Sequence, residues 1–140
     1  MNSSDRLRRY GDPRLLGVMR QVLPAMILDV TTPELHPIRF LAHEKIRTKV
    51  QIAMEGACDV TKWAPVEIQG YNVRPIRGGK SWSLHSWALA WDVFGLSGPI
   101  DPVTGRHRPP NAWFHHMESR GFEWGGRWRK ADPHHVQWSD

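Results

Sequence analysis

Apolar residues recur at helical intervals in two stretches near the N-terminus. Leu15, Val18, Met19, Val22 and Leu23 follow Pro13, and that spacing predicts a first helix over residues 13–28. Ile38, Leu41, Ala42, Ile46, Val50, Ala53 and Ala57 make one apolar face opposite Lys45, Arg47 and Lys49. This predicts a second helix over residues 38–57, with Gly56 near its end. From about residue 64 the texture shortens. The runs "PVEIQGYNV", "ALAWDVF" and "HHVQW", broken by Gly and Pro, read as strands. "GLSGPIDPVTGRHRPPN" reads as a loop and "AWFHHMESRG" as a third helix closed by Gly121. Helices first and strands afterwards predict an α+β domain, with N-terminal helices packed on an antiparallel sheet. The 140 residues suit one domain, helical over residues 1–60 and sheet-forming over residues 64–140.

Inside the sheet part, "SWSLHSWALAWDVFG" sets His85 and Asp92 among Trp, Leu and Ala. An ionised carboxylate in such a run needs a cation beside it. On a helix the two residues would lie about 10 Å apart. One ion bonded at about 2 Å to both requires the chain to bend between them. Small Ala88 and Ala90 permit that approach, with His85 at the entry to a strand and Asp92 on it. The pair by itself also fits a His–Asp hydrogen bond buttressing a core. A second segment, "GFEWGGRWRKADPHHVQW", adds Asp132, His134 and His135 beside a Gly-Gly turn. Pro133 biases Asp132 towards extended backbone, so a strand follows. In a strand His135 and Gln137 face one way while His134, Val136 and Trp138 face the other, so only one of the adjacent histidines reaches a common site. Cys58 is the only cysteine, which excludes an internal disulfide and a thiolate zinc cluster. Two His and one Asp with an open position is the donor set of a catalytic zinc site.

Together, "GYNVRPIRGGKSWSLHSWALAWD" and "GFEWGGRWRKADPHHVQW" resemble the zinc peptidases of the D-alanyl-D-alanine carboxypeptidase and L-alanyl-D-glutamate endopeptidase group, which includes many phage endolysins. That family's signature is Ser-x-His, then a Gly-x-Ala-x-Asp strand, and later Gly-Phe-x-Trp-Gly-Gly-x-Trp and Asp-x-x-His. The likeness spans about residues 66–138. It implies a hedgehog/DD-peptidase-like fold with His85, Asp92 and His135 as zinc ligands and Asp132 as the catalytic acid/base. Ser83 matches the Ser of the first motif, and Arg74, ahead of a Gly-Gly loop, matches an arginine that contacts substrate; the resemblance implies that both bind substrate. Ala88 stands where the family has Gly, and Val136 where it has an aromatic residue. His134 is the rival ligand; strand parity and the Asp-x-x-His spacing both favour His135. The activity implied is hydrolysis of a peptide bond in the peptidoglycan stem, first as an endolysin cutting L-alanyl-D-glutamate and alternatively as a D-alanyl-D-alanine carboxypeptidase.

Composition narrows the remaining classes. An apolar content of 40% with eight Trp argues for a folded chain whose Trp are core rather than a sugar-stacking groove. The net charge of +5 favours an acidic partner. Its Lys and Arg are scattered rather than gathered in a stripe, which counts against a basic phage nucleic-acid-binding protein. A non-enzymatic zinc-bearing binding module has no need of the spare carboxylate Asp132. The N-terminus lacks the apolar core of a signal peptide and no apolar run reaches membrane-spanning length. The expectation is therefore a monomer made in the host cytoplasm without membrane insertion, acting on the wall after release. His107, in a loop, and His115 and His116, in the third helix, read as surface or core histidines.

Overall fold

The computed structural model describes residues 2–14, 19–22, 38–74, 76 and 81–139. Asn2 opens helix α1 (Ser3–Tyr10) with a capping box shared with Asp5, and Gly11 closes it at φ 84°. Strand β1 (Met19–Val22) pairs antiparallel with β2 (Phe40–His43), Met19 opposite His43 and Val22 opposite Phe40. Helix α2 (Arg47–Thr61) follows. Strands β3 (Glu67–Gln69), β4 (Ala90–Ile100), β5 (Glu123–Trp124) and β6 (His135–Gln137) form one antiparallel sheet in the order β3-β4-β6-β5. Helix α3 (Asn111–Ser119) connects β4 to β5. The domain is a small α+β unit with three helices among the described residues.

The structure corrects both N-terminal helix expectations. Residues 19–22 of the stretch 13–28 are a strand, and the rest of it beyond Arg14 lies outside the described residues. Phe40–His43, expected within the helix 38–57, is the partner strand, and α2 begins only at Arg47. Segments of four residues are too short for apolar spacing to separate helix from strand, and the ladder between β1 and β2 decides the matter. Residues 1–60 are thus not wholly helical. At its other end α2 runs through Gly56 to Thr61. A Cβ on Gly56 would sit 2.5 Å from Nε2 of His116, so the missing side chain lets α2 and α3 touch. The segment from Gly95 to Ile100, expected as loop, continues β4. There Gly95 accommodates the indole of Trp63, which a Cβ would meet at 2.3 Å.

One apolar layer joins these elements. Val50, Ala53, Met54, Ala57 and Cys58 line α2 at helical spacing. They pack with Trp113, Phe114 and Met117 of α3 and with Trp91, Val93 and Val136 of the sheet. Each large side chain so buried contributes about 1.5–3 kcal/mol. Trp63, Trp87, Trp91, Trp113 and Trp124 are all buried, and four of their indoles donate to backbone carbonyls, at Ser97, Gly11, Leu41 and Pro133. The fifth, Trp113, donates to the sulfur of Cys58 at 3.4 Å. Burial pushes the Cys58 thiol up to about 11, the contact with Trp113 opposing it only in part. Cys58 is a core residue without thiolate chemistry near neutral pH. The end of α1 is also tied down: His43 Nε2 donates to the Tyr10 carbonyl at 2.7 Å, and the Tyr71 hydroxyl donates to that of Pro13.

Candidate metal centre

Sheet register builds half of the site. Asp92 on β4 lies directly opposite His135 on β6, so the two side chains share one face. Nδ1 of His135 is 3.2 Å from Oδ1 of Asp92. His85 arrives by a tight bend rather than a strand. The Ser83 hydroxyl accepts from the backbone N–H of His85 at 3.3 Å, capping a single 3₁₀ turn, Leu84–Trp87. Ala88 then reverses the chain in the left-handed region, at φ 53° and ψ 43°. The reversal brings Nε2 of His85 to 3.3 Å from Oδ2 of Asp92. One donor atom from each of His85, Asp92 and His135 lies within 4.8 Å of the others.

Hydrogen bonds on the far side of each imidazole fix which nitrogen is available. His85 Nδ1 meets the Gly70 carbonyl at 2.8 Å, and a carbonyl only accepts, so Nδ1 carries the proton and Nε2 the lone pair. That Nε2 is buried and makes no hydrogen bond. His135 Nε2 meets Oε1 of Gln137 at 2.8 Å, leaving Nδ1 towards Asp92. Burial pushes Asp92 up, but the two imidazoles beside it, His135 and His85, more than offset that and hold the carboxylate below its usual range. Two inward lone pairs and an ionised carboxylate fit a divalent cation. Tetrahedral zinc with bonds of about 2.0–2.2 Å wants donors about 3.3 Å apart. His85, Asp92 and His135 would hold it.

Asp132 sits at the mouth of this cluster, its Oδ2 3.8 Å from Nδ1 of His135 and its side chain half exposed. Burial raises its pKa, as does the charge of Asp92, while the histidines oppose both. The loop is held by Gly125, whose carbonyl accepts from the N–H of Asp132 at 2.9 Å. A Cβ on Gly125 would lie 2.6 Å from the Asp132 carbonyl oxygen and 3.1 Å from Cβ of His135. Trp128 packs its ring 5.0 Å from that of His135.

The structure places the other candidates apart. His134 turns to the opposite side of β6, where Nδ1 donates to the Val93 carbonyl at 2.8 Å and Nε2 meets the Thr104 hydroxyl at 2.9 Å. Its ring stacks on Phe94, and Asp101 lies 3.5 Å from it. His107 meets the Gly98 carbonyl, His115 approaches Trp124, and His116 packs on Gly56. The Ser83 hydroxyl is buried in its capping role. The backbone of Arg74 is bound to Ser83 and Ser86, which seats it beside the His85 turn. The Gly-Gly loop after Arg74 lies outside the described residues. Sequence reasoning missed Gly70, because a carbonyl acceptor carries no side-chain signal, and Glu123 behind Gln137, because β5 is too short to show a register.

Against this geometry, the profile of a family described as D-alanyl-D-alanine carboxypeptidase matches residues 77–138. That stretch, somewhat under half of the chain, holds His85, Asp92, His135 and Asp132 together. No curated protein matches the chain.

Proposed function

We propose that the protein is a zinc-dependent peptidase that hydrolyses a peptide bond in the stem of bacterial peptidoglycan. The observation that carries this reading is the convergence of His85, Asp92 and His135, from a 3₁₀ turn and two strands, with a spare carboxylate at their edge. The family match over the same residues supports it. When held by these three residues, zinc supplies a Lewis acid that polarises a carbonyl and acidifies water. Asp132 takes a proton from the attacking water and returns it to the leaving amine. Arg74, seated beside the His85 turn, binds a substrate carboxylate or the developing oxyanion.

Within this reading we favour a cut at L-alanyl-D-glutamate by an endolysin-like enzyme acting at the wall, supported by the resemblance of the two motif segments to that group. The net charge of +5 suits approach to an acidic envelope. D-alanyl-D-alanine cleavage is the second reading, favoured by the description of the matched family. Elemental analysis is expected to give about one zinc per chain, retained in His134→Ala and lost in His135→Ala. In Asp132→Asn zinc and fold should persist while turnover falls by about 10²-fold or more, because an amide cannot accept the proton. Zinc retained by His135→Ala, or full activity in Asp132→Asn, would contradict the assignment.

A further inference from the structure

Beyond its first contact, the far nitrogen of His135 leads into a chain of hydrogen bonds that reaches the sheet edge. His135 Nε2 meets Gln137 Oε1 at 2.8 Å, Gln137 Nε2 donates to Glu123 Oε2 at 2.6 Å, and the Ser139 hydroxyl donates to the same oxygen at 2.9 Å. Gln137 Nε2 also reaches the Ser139 oxygen at 3.2 Å. The sheet sets this up, since Glu123 on β5 is directly opposite Gln137 on β6.

An amide can be turned either way, with oxygen or NH₂ towards the imidazole. The two orientations have opposite consequences for His135. A carboxylate has no proton to give, so beside Glu123 the amide must present its NH₂ there and its oxygen to His135. The imidazole must then carry its proton on Nε2 and keep its Nδ1 lone pair facing Asp92 and His85. His85 reaches the mirror arrangement by a shorter route, through the Gly70 carbonyl. The two rings therefore present different nitrogens to one point. Metal-binding histidines commonly rely on such an outer hydrogen bond to set tautomer and ring orientation.

We infer that Gln137 and Glu123 are positioning residues: the carboxylate orients the amide, and the amide fixes His135 as the Nε2–H tautomer whose Nδ1 binds the metal. This rests on the zinc reading and adds two residues to it. Neither touches substrate or the donor atoms of the site. Loss of such an outer partner typically weakens metal affinity by about 10–100-fold.

The test is zinc affinity of the full chain, measured by competition with a chelator, in the parent and in variants. Gln137→Leu should bind zinc at least about tenfold more weakly. Glu123→Gln alone removes the acceptor that orients the Gln137 amide, leaves that amide free to turn, and should also bind more weakly than the parent. Combined with Gln137→Glu, it restores the chain with donor and acceptor exchanged, because a carboxylate at 137 can only accept from His135, and affinity should return to within about threefold of the parent. A purely structural role for Gln137 would not predict that rescue. Imidazole nitrogen-15 shifts of the zinc-loaded parent should show His135 protonated on Nε2 and bound to the metal through Nδ1, a readout that needs no variant. Parent-like affinity in Gln137→Leu, failure of the double exchange to rescue, or an Nδ1–H tautomer in the parent would each overturn the inference. A parent that binds no zinc would overturn the metal reading itself, whereas a zinc-binding parent with any of those three results overturns the relay alone.

Discussion

Ala88 occupies the left-handed region at φ 53°, where glycine is at ease and other residues are strained. The strain costs about 1–2 kcal/mol, and glycine's extra freedom in the unfolded chain offsets about 0.5–1 kcal/mol of what removing it would gain. The Ala88 methyl is fully buried and losing it costs about 0.8 kcal/mol more, so Ala88→Gly should change thermal stability by less than about 1 kcal/mol in either direction, and a larger fall in Tm would contradict this account. Gly125 is the opposite case, because any side chain there meets the Asp132 carbonyl. Gly125→Ala should cost about 1–3 kcal/mol and lower activity through the displaced Asp132, checked by melting and by turnover on the same preparation. Much of this site was legible in the residues themselves. Pro133 and strand parity separate His135 from His134, and the need for a bend between His85 and Asp92 follows from their spacing. The outer contacts were not legible, since Gly70 acts through its backbone and Glu123 through a register only the folded sheet sets.

Among the elements, the C-terminal ones were read well and the N-terminal ones poorly, for a physical reason. The strand through Asp92, the strand through His135 and helix α3 each have a long or clearly punctuated apolar pattern. Met19–Val22 and Phe40–His43 are four residues each, too short for periodicity to separate helix from strand, and their pairing is non-local. Gly95 and Gly98 read as loop signals yet lie within β4, Gly95 because Trp63 packs against its bare backbone. The end of β2 carries its own prediction. His43 is buried with Nε2 donating to the Tyr10 carbonyl and Nδ1 accepting from the N–H of Lys45. Burial lowers its pKa below the usual value of 6.5, the Tyr10 contact opposing this only in part. As pH falls through about 6.5 the unfolded chain takes up a proton that the folded chain resists, so the stability His43 contributes is present above that pH and lost below it. His43→Gln should be less stable than the parent at pH 7.5, and the gap in unfolding free energy should narrow towards pH 5 by up to about 1.4 kcal/mol per pH unit. A gap that stays constant or widens on acidification would show that His43 is not held neutral.

Among the described residues one apolar layer runs from α2 and α3 to the sheet, with the one cluster of metal-binding donors found there carried by β4, β6 and the turn that holds His85. No described helix is long and apolar enough to cross a membrane. The α+β class holds although the order that predicted it, helices first and strands afterwards, does not, since β1 and β2 lie between α1 and α2; the family match over residues 77–138 falls on the part that holds the metal-binding cluster. On the proposed reading, which stem-peptide bond is cut depends on the shape of the surface around that cluster, to which the motif residues contribute only the reacting groups. The most direct test is therefore mass spectrometry of purified muropeptides incubated with the zinc-loaded protein, with and without chelator. The expected result is chelator-sensitive cleavage between L-alanine and D-glutamate, releasing the stem peptide from D-glutamate onward and leaving L-alanine on the sugar; loss of a single terminal D-alanine would instead establish the carboxypeptidase reading. Muropeptides left intact by protein shown to carry one zinc per chain would contradict the claim that this site is a peptidoglycan peptidase.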